Sequence, residues 1–494
     1  MEIMWKQLIK LDRDTKWSLQ LQIREQLVTA IVNNIIHPGQ SLPSSRELSK
    51  VLSVARNTVV LAYDELESDG YIKAVSRKGY FVEEDVHLGA VAKKKLKPKE
   101  KVTPEWCKKL LVKQPSEIPS IAKCGNWKEQ EFPFVYGQID PDLIPINDWR
   151  EAVKQSSSVG EIKKWNVDHI DQDDQILINQ IQGKVLPRRG IWAGRDEILV
   201  TSGSQNAMYL LTSLLVNDKT SVGIENPCYL DFKNMLYLKT NKIVPVNVDD
   251  EGIVVDQISD ECELVYTTPS HQCPTGVTMS LKRRKDLLKA AEKKNFVIIE
   301  DDYEAEINFT SESSPSLKSI DKNDHVIYIG SFSKSFAPGL RMGYIVGPSE
   351  FIKEVRALRR LMQRHLPANN QLAVGLFISL GHYHSMLHKL HTVYKERWQE
   401  MSAVIQNYPD VLFFNPSEGG SSFWVSVPEK VNTRVLCKRL LEKGVVIEPG
   451  DIFFCEEDAP KNHMRLAYSA IKTDKISRGI ELVAEEIRYL NSRA

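Results

Sequence analysis

The hydrophobic pattern changes period along the chain. Between residues 19 and 82 apolar positions recur at helical spacing. Leu21, Ile23, Leu27, Ile31 and Ile35 mark one face of an amphipathic helix that Pro38 and Gly39 are expected to stop. Ser44 and Glu47 are spaced as a capping box, which predicts a short second helix from Ser45 to Val51. After a turn at 52–55, a third helix is expected from Arg56 to about Asp69, with Gly70 as its stop. YIKAV and GYFVE then read as two short strands around a basic tip at Arg77, Lys78 and Gly79. Three helices and a hairpin make a winged helix-turn-helix. Farther along, apolar residues gather in short unbroken runs. VIYIG (Val326 to Gly330) and the run before Glu300 in NFVIIEDDYEAEI fit strands buried on both faces of a parallel sheet.

The chemistry-bearing residues follow those runs. SFSKSFAPGLRMG, Ser331 to Gly343, puts Lys334 on a loop at the carboxyl end of a strand, where open α/β sheets bind ligands. There Lys334 can form an imine with an aldehyde, while Arg341 and the hydroxyls of Ser331 and Ser333 hold a phosphate; the plain alternative is a solvated lysine. Asp301 can keep a pyridine nitrogen protonated and Tyr303 can bond the ring's phenolate oxygen, although acids leaving a strand for solvent would look the same. In EILVTSGSQNAMYLLTSLL a strand, a turn and a helix follow one another. The turn carrying Ser204 and Gln205 would aim N–H groups at a phosphate on the helix's positive end. Tyr229, in ENPCYLDF, can lie flat on a cofactor ring or be a core aromatic.

In this order, and with GQIDPDLIP, TPSHQCPTG, GGSSFWVSV and PGDIFFCEEDAPKNHMRLAYS, these segments resemble the fold-type I aminotransferases from about Phe132 to the C-terminus. The resemblance implies an α/β body with a central, mostly parallel sheet and a smaller α+β subdomain. It also implies pyridoxal 5'-phosphate held at Lys334 as a Schiff base, and Arg465 as the clamp on a substrate or effector carboxylate. LPSSRELSKVLSVARNTVVLAYDELESDGYI resembles the GntR-type DNA-binding domain, residue for residue at Arg46, Arg56 and Thr58. A double-stranded operator is then the expected partner, with the third helix in the major groove. Its candidate contacts are Ser44, Arg46, Arg56, Asn57 and Thr58, and Arg77 and Gly79 on the wing. Ala55 stands where relatives often have Ser or Thr, which removes an N-cap oxygen worth about 1 kcal/mol. The two halves together follow the plan of the MocR family of bacterial transcription regulators, and they imply a homodimer, because fold-type I sites are usually completed across a dimer interface.

Three departures separate the chain from the enzyme pattern. Cys273-Pro274-Thr275-Gly276 replaces the common Asn-Pro-x-Gly; VDHIDQDDQILINQI lacks the usual Tyr and Gly; and Asp231 takes the place of an arginine found in γ-aminobutyrate-responsive relatives. These differences favour a regulator with weak transaminase activity over an aminotransferase with an accessory DNA-binding domain, which is the alternative. They also point to an effector with one carboxylate near its amine, or to pyridoxal phosphate itself.

At 494 residues and 42% hydrophobic content the chain is long enough for several globular domains. No apolar run approaches the ~18 residues of a membrane span and MEIMWKQLIKLDRD lacks a signal-peptide core, so no membrane partner and a cytoplasmic, at times nucleoid-associated, protein are expected. The 7 cysteines include no Cys-x-x-Cys pair, so free thiols are expected rather than disulfides or zinc. Net charge is zero, yet residues 1–113 carry 20 Lys or Arg against 14 Asp or Glu, a local excess that suits an arm meeting phosphate. The expected boundaries are a winged helix over 1–83, a basic, Pro-containing linker over 84–130 and the aminotransferase-like domain over 131–494. As a coil such a linker spans roughly 35–40 Å. His384, His388 and His391 share a helical face, but no acid or cysteine completes a metal set, so a surface face is expected there.

Overall fold

The computed structural model describes residues 2–76, 78–84, 105–111, 113–121, 124–169, 171–309, 314–415, 417 and 419–493. It forms two compact units, Met1–Leu111 and Val112–Ala494.

The first unit contains α1 (Glu2–Leu8), α2 (Leu19–Val32), α3 (Ser45–Leu52), α4 (Arg56–Ser68), β1 (Ile72–Val75) and β2 (Gly79–Val82). Ile23, Leu27, Ile31, Leu48, Val59 and Leu66 are buried in one core, each contributing roughly 2 kcal/mol. The predicted face of α2 fails at both ends. Leu21, in the first turn, is exposed; so is Ile35, because the chain leaves the helix at Asn33 and turns through Asn34 at φ 57°, which puts Ile36 into the core instead. Those asparagines, and not Pro38 and Gly39, end the helix. The capping box is present: Ser44 Oγ accepts from the Glu47 N–H at 3.3 Å and Glu47 returns an acceptor to the Ser44 N–H at 2.9 Å. Ala55, lacking a hydroxyl, gives α4 no side-chain cap. Tyr63 on α4 donates to the Pro43 carbonyl at 2.9 Å and meets the Tyr80 ring edge-on at 4.7 Å, tying the third helix to both the preceding loop and the wing. α1, which the hydrophobic pattern did not single out, adds Trp5 to the same core.

The second unit opens with β3 (Phe132–Pro133) and is built on an eight-stranded sheet. Its strands are β4 (Ile198–Thr201), β5 (Val222–Asn226), β6 (Ile243–Asp249), β7 (Gly252–Ile253), β8 (Leu264–Thr267), β9 (Val297–Asp302), β10 (Val326–Ser331) and β11 (Gly343–Val346). Their order is β4-β11-β10-β9-β8-β5-β6-β7, parallel through the five central strands, with β11 and β7 antiparallel to their neighbours. β10 is buried along its whole length, as the unbroken run VIYIG requires. A smaller antiparallel sheet holds β12 (Phe413–Phe414), β13 (Ser422–Ser426), β15 (Glu448–Pro449) and β16 (His463–Ala467), while β14 (Val445–Val446) pairs with β3.

Three local results differ from the sequence reading or extend it. β9 runs two residues past Glu300, so Asp301 and Asp302 are strand residues on opposite faces. Asp301 accepts from Tyr266 at 2.8 Å, and Asp302 accepts from Arg189 and Tyr328 at 2.8 and 2.9 Å. The acids of VDHIDQDDQILINQI are structural: Asp173 binds Arg356 and Arg359 at 2.8 and 2.6 Å, and Asp174 caps the helix Gln175–Gln180. The chain at 113–121, at the far end of the expected linker, rests on the body, where Lys113 donates to the Tyr237 carbonyl and Asn234 to the Pro119 carbonyl. Among the described residues no helix is long and apolar enough to cross a membrane. All seven cysteines are free thiols.

Candidate functional site

β10 delivers Ser331 at its carboxyl end, and the turn that follows carries Ser333 and Lys334. These residues line one cavity of about 260 Å³ with Ser204, Gln205, Tyr229, Arg341 and Arg465, so eight residues singled out in sequence converge there. Asp301 and Tyr303 do not line it but sit alongside: the ammonium of Lys334 acts on the Asp301 carboxyl, and the charge of Arg465 acts on the Tyr303 hydroxyl.

Each contact has a local cause. Gly203, the first residue of the helix Gly203–Leu215, has φ +78°, and a Cβ there would stand 3.1 Å from the Arg341 guanidinium. The missing side chain lets that arginine lie against the helix's positive end, where a phosphate is stabilised by dipole and cation together. Ser333 Oγ is buried and has no hydrogen-bond partner among the described residues. Asp301 Oδ1 is likewise buried and unpartnered, while Oδ2 accepts from Tyr266. Burial pushes the Asp301 carboxyl up to about 7. Tyr229 begins the helix Leu230–Tyr237, and its hydroxyl donates to Asp231 at 3.2 Å; the same carboxylate oxygen accepts from Gln205 at 3.0 Å. Tyr303 donates its proton to the His271 carbonyl at 2.8 Å, not into the cavity.

Some residues of the site had no signal in the reading of motifs. Tyr136 covers Lys334, whose Nζ lies 4.0 Å from the ring centroid, and Gly137 makes room for that lysine: at φ +72°, a Cβ would stand 2.7 Å from Nζ. Tyr136 stands one residue before GQIDPDLIP, and Gly137 is the first residue of that segment, which carried no role for it. Glu448 binds Arg465 through Nε and Nη2, both at 2.5 Å. Ser120 and Ile121, from the segment read as linker, line the same cavity. Of the histidine face, His384 and His388 are exposed, with His384 partnered by Arg188, while His391 is half-buried against Phe309 and partnered by the Asn308 carbonyl.

On the first unit Ser44, Arg46, Arg56, Asn57 and Gly79 are exposed and Thr58 is half-buried. Arg56 Nε reaches Ser45 Oγ at 3.4 Å, a weak link between α3 and α4 that leaves most of the guanidinium available. Gly79 opens β2 at φ +107°, a conformation that other residues rarely adopt. Arg77 lies outside the described residues.

A lysine at a strand end, a helix N-terminus backed by arginine, and a buried acid with a vacant acceptor together fit pyridoxal phosphate: aldehyde, phosphate and pyridine nitrogen each meet a suitable group. The body is thus a fold-type I aminotransferase domain, joined in one chain to a DNA-binding winged helix. Residues 140–483 match the aminotransferase class I and II family, and residues 19–82 match the gntR family of bacterial regulatory proteins. Among curated proteins the chain is similar to the HTH-type transcriptional regulator TauR of Rhodobacter capsulatus, 38% identical over 95% of this chain and 97% of that one. It is also similar to the probable rhizopine catabolism regulatory protein MocR of Rhizobium meliloti, 24% identical over 98% and 97%. Among solved structures the kynurenine aminotransferase of Pyrococcus horikoshii, in complex with PMP, superposes at a TM-score of 0.69 with 26% identity, over 79% of this chain and 95% of that one. The chain belongs to the MocR-type transcription regulators, in which a gntR-family domain and an aminotransferase class I and II domain share one polypeptide.

Proposed function

We propose that this regulator reads a double-stranded operator through α4 and senses an amino compound, or pyridoxal phosphate itself, in the cavity around Lys334. The observation that carries the sensing half is the pair of buried polar groups next to Lys334 that have no hydrogen-bond partner among the described residues: Asp301 Oδ1, which can accept from a pyridinium, and the Ser333 hydroxyl, which can donate to a phosphate. Leaving such groups unsatisfied costs about 1–3 kcal/mol each, a cost that a bound pyridinium and phosphate would remove.

Pyridoxal phosphate, when bound, supplies an electrophilic aldehyde carbon and a ring that withdraws electrons once its nitrogen is protonated. Lys334 provides the amine for covalent attachment and, when released, a base beside the same carbon. Ser331, Ser333, Arg341 and the helix end at Ser204 and Gln205 would hold the phosphate, Tyr229 would pack on the ring, and Asp301 would pair with the protonated ring nitrogen. Two groups that would drive turnover are weak here. Burial pushes the Cys273 thiol up to about 12, so it is a poor donor toward the ring oxygen, and the Tyr303 proton is committed to His271. A site that attaches ligand well and turns it over poorly suits a sensor.

Ligand then acts by binding two conformations of the protein with different affinities. On the operator, Arg46, Arg56, Asn57 and Thr58 face the major groove, with Ser44 at the phosphate backbone and Arg77 and Gly79 on the wing. The working form is a cytoplasmic homodimer on two half-sites, at the nucleoid when bound. Lys334→Ala is the direct test, read by fluorescence anisotropy on the gene's own upstream DNA. The variant should bind that DNA as the natural protein does and show no response to pyridoxal phosphate or added amines. A response equal to that of the natural protein would remove Lys334 from sensing.

A further inference from the structure

Arg465 is the residue expected to clamp a carboxylate, yet its guanidinium is already paired with an acid and packed against two aromatic rings. It is 2% exposed. Its guanidinium carbon lies 3.6 Å from the Tyr136 ring centroid and 4.7 Å from that of Phe453. Along its edge, Nε donates to Glu448 Oε2 at 2.5 Å, Nη2 lies 2.5 Å from the same oxygen as an ion pair, and Nη1 points at the Cys273 sulfur at 3.8 Å. The pairing is set by the backbone, since Glu448 on β15 and Arg465 on β16 are register partners across an antiparallel pair. A carboxylate arriving at this arginine would find its place taken by the side chain of Glu448, which is itself 13% exposed.

The rest of the cavity does not restore the positive charge. Of its other cations, Lys334 and Arg341 belong to the aldehyde and phosphate ends of the cofactor. The remaining acid, Asp231, is fixed in place by Gln205 and Tyr229. What faces an effector is therefore an arginine neutralised by Glu448 together with one further carboxylate, Asp231, so the balance is negative. Like charges brought together in a partly desolvated site repel strongly.

We propose that Glu448 is the specificity-determining residue of the effector site: by occupying Arg465 it selects amino compounds that carry no carboxylate on the amine-bearing carbon. This rests on the assignment of the cavity as a pyridoxal phosphate and effector site, and it replaces the expectation of a carboxylate near the amine, which took Arg465 to be available. Glu448 acts through Arg465 and through its own charge, and has no part in attaching the cofactor.

L-Alanine and isopropylamine differ only in carrying a carboxylate or a methyl on the carbon that bears the amine, and so test this directly. The full chain, loaded with pyridoxal phosphate, is titrated with each compound by calorimetry and by the change in cofactor absorbance. The natural protein should bind isopropylamine at least about tenfold more tightly than L-alanine. Glu448→Gln, which keeps the shape and removes the charge, should raise L-alanine affinity by about 10- to 100-fold and leave isopropylamine within about threefold. Glu448→Asp keeps the charge and should keep the natural order of preference, while a thermal melt of each variant reports folding. Equal affinity for the two compounds in the natural protein overturns the proposal, as does an unchanged ratio in a folded Glu448→Gln. If the natural protein takes up no pyridoxal phosphate, the cofactor site itself is wrong and the proposal falls with it; uptake with an unchanged ratio refutes Glu448 alone.

Discussion

Asp301→Asn separates the two roles of the buried acid. Burial holds the Asp301 carboxyl up to about 7, whereas an unfolded chain releases the same proton near ~3.9. Between those values the folded protein binds more protons than the unfolded one, so stability falls as pH rises through the window and is fully present only below it. At ~1.4 kcal/mol per pH unit the whole loss is about 4 kcal/mol, of which about 2 kcal/mol falls between roughly pH 5.5 and 8. Asparagine keeps the acceptor for Tyr266 and never ionises. Cofactor-free Asp301→Asn should therefore match the natural protein at acid pH and become more stable than it at pH 8, by about 2 kcal/mol relative to the difference at pH 5.5. Urea unfolding of both proteins at the two pH values measures this as a gap between midpoints that opens with pH. The same substitution removes the charged partner of the ring nitrogen, so affinity for pyridoxal phosphate should fall by roughly 10- to 150-fold, the equivalent of about 1.5–3 kcal/mol for a charge-assisted bond. A variant more stable at pH 8 and poorer at holding the cofactor is the combined signature. Parallel pH profiles together with unchanged cofactor affinity would refute the role of Asp301 as partner of the ring nitrogen.

Arg56→Ala should weaken operator binding by about 1–3 kcal/mol and leave cofactor absorbance intact; sequence-selective binding at full strength in a gel shift would take α4 out of the groove. Gly137→Ala forces a Cβ to within 2.7 Å of Lys334 Nζ at a φ of +72°. The lysine tip can swing away at little cost, so cofactor attachment should suffer more than stability. A variant that loses only about 1–2 kcal/mol of stability, the cost of a left-handed alanine, yet labels weakly after borohydride reduction is expected, and normal labelling counts against the tight approach. Sedimentation should show a dimer at micromolar concentration that binds a two-half-site operator far more tightly than one half-site. A monomer indifferent to the second half-site would contradict it.

The residues legible in sequence were those whose chemistry is local to a run of chain. A strand followed by Ser-x-Ser-Lys, a Gly turn opening an apolar helix, and a Ser-x-x-Glu box each carry their geometry within a few residues, and each is found in place. The end of α2 was misread because Pro38 and Gly39 are stronger breakers than Asn33 and Asn34, yet the asparagines come first and one of them adopts a positive φ. The extent of β9 was missed because two acids look like an exit to solvent. The neighbouring strands supply Tyr266 on one face and Tyr328 on the other, so the strand continues through Asp301 and Asp302.

Glu448 shows the deeper limit of such reading. It stands in a two-residue strand with no motif of its own, and 17 positions separate it from Arg465. Only the antiparallel register of β15 and β16 sets the two opposite each other. Arg465 was found because a family pattern marks it, and that pattern describes an arginine open to its ligand. Whether such an arginine attracts or excludes a carboxylate is decided by the charge its neighbours bring, and that charge comes from other parts of the chain. A functional residue can therefore be identified from sequence and still have its preference reversed by a partner that sequence leaves silent. For that reason the preference of this site is better sought in Glu448 than in Arg465.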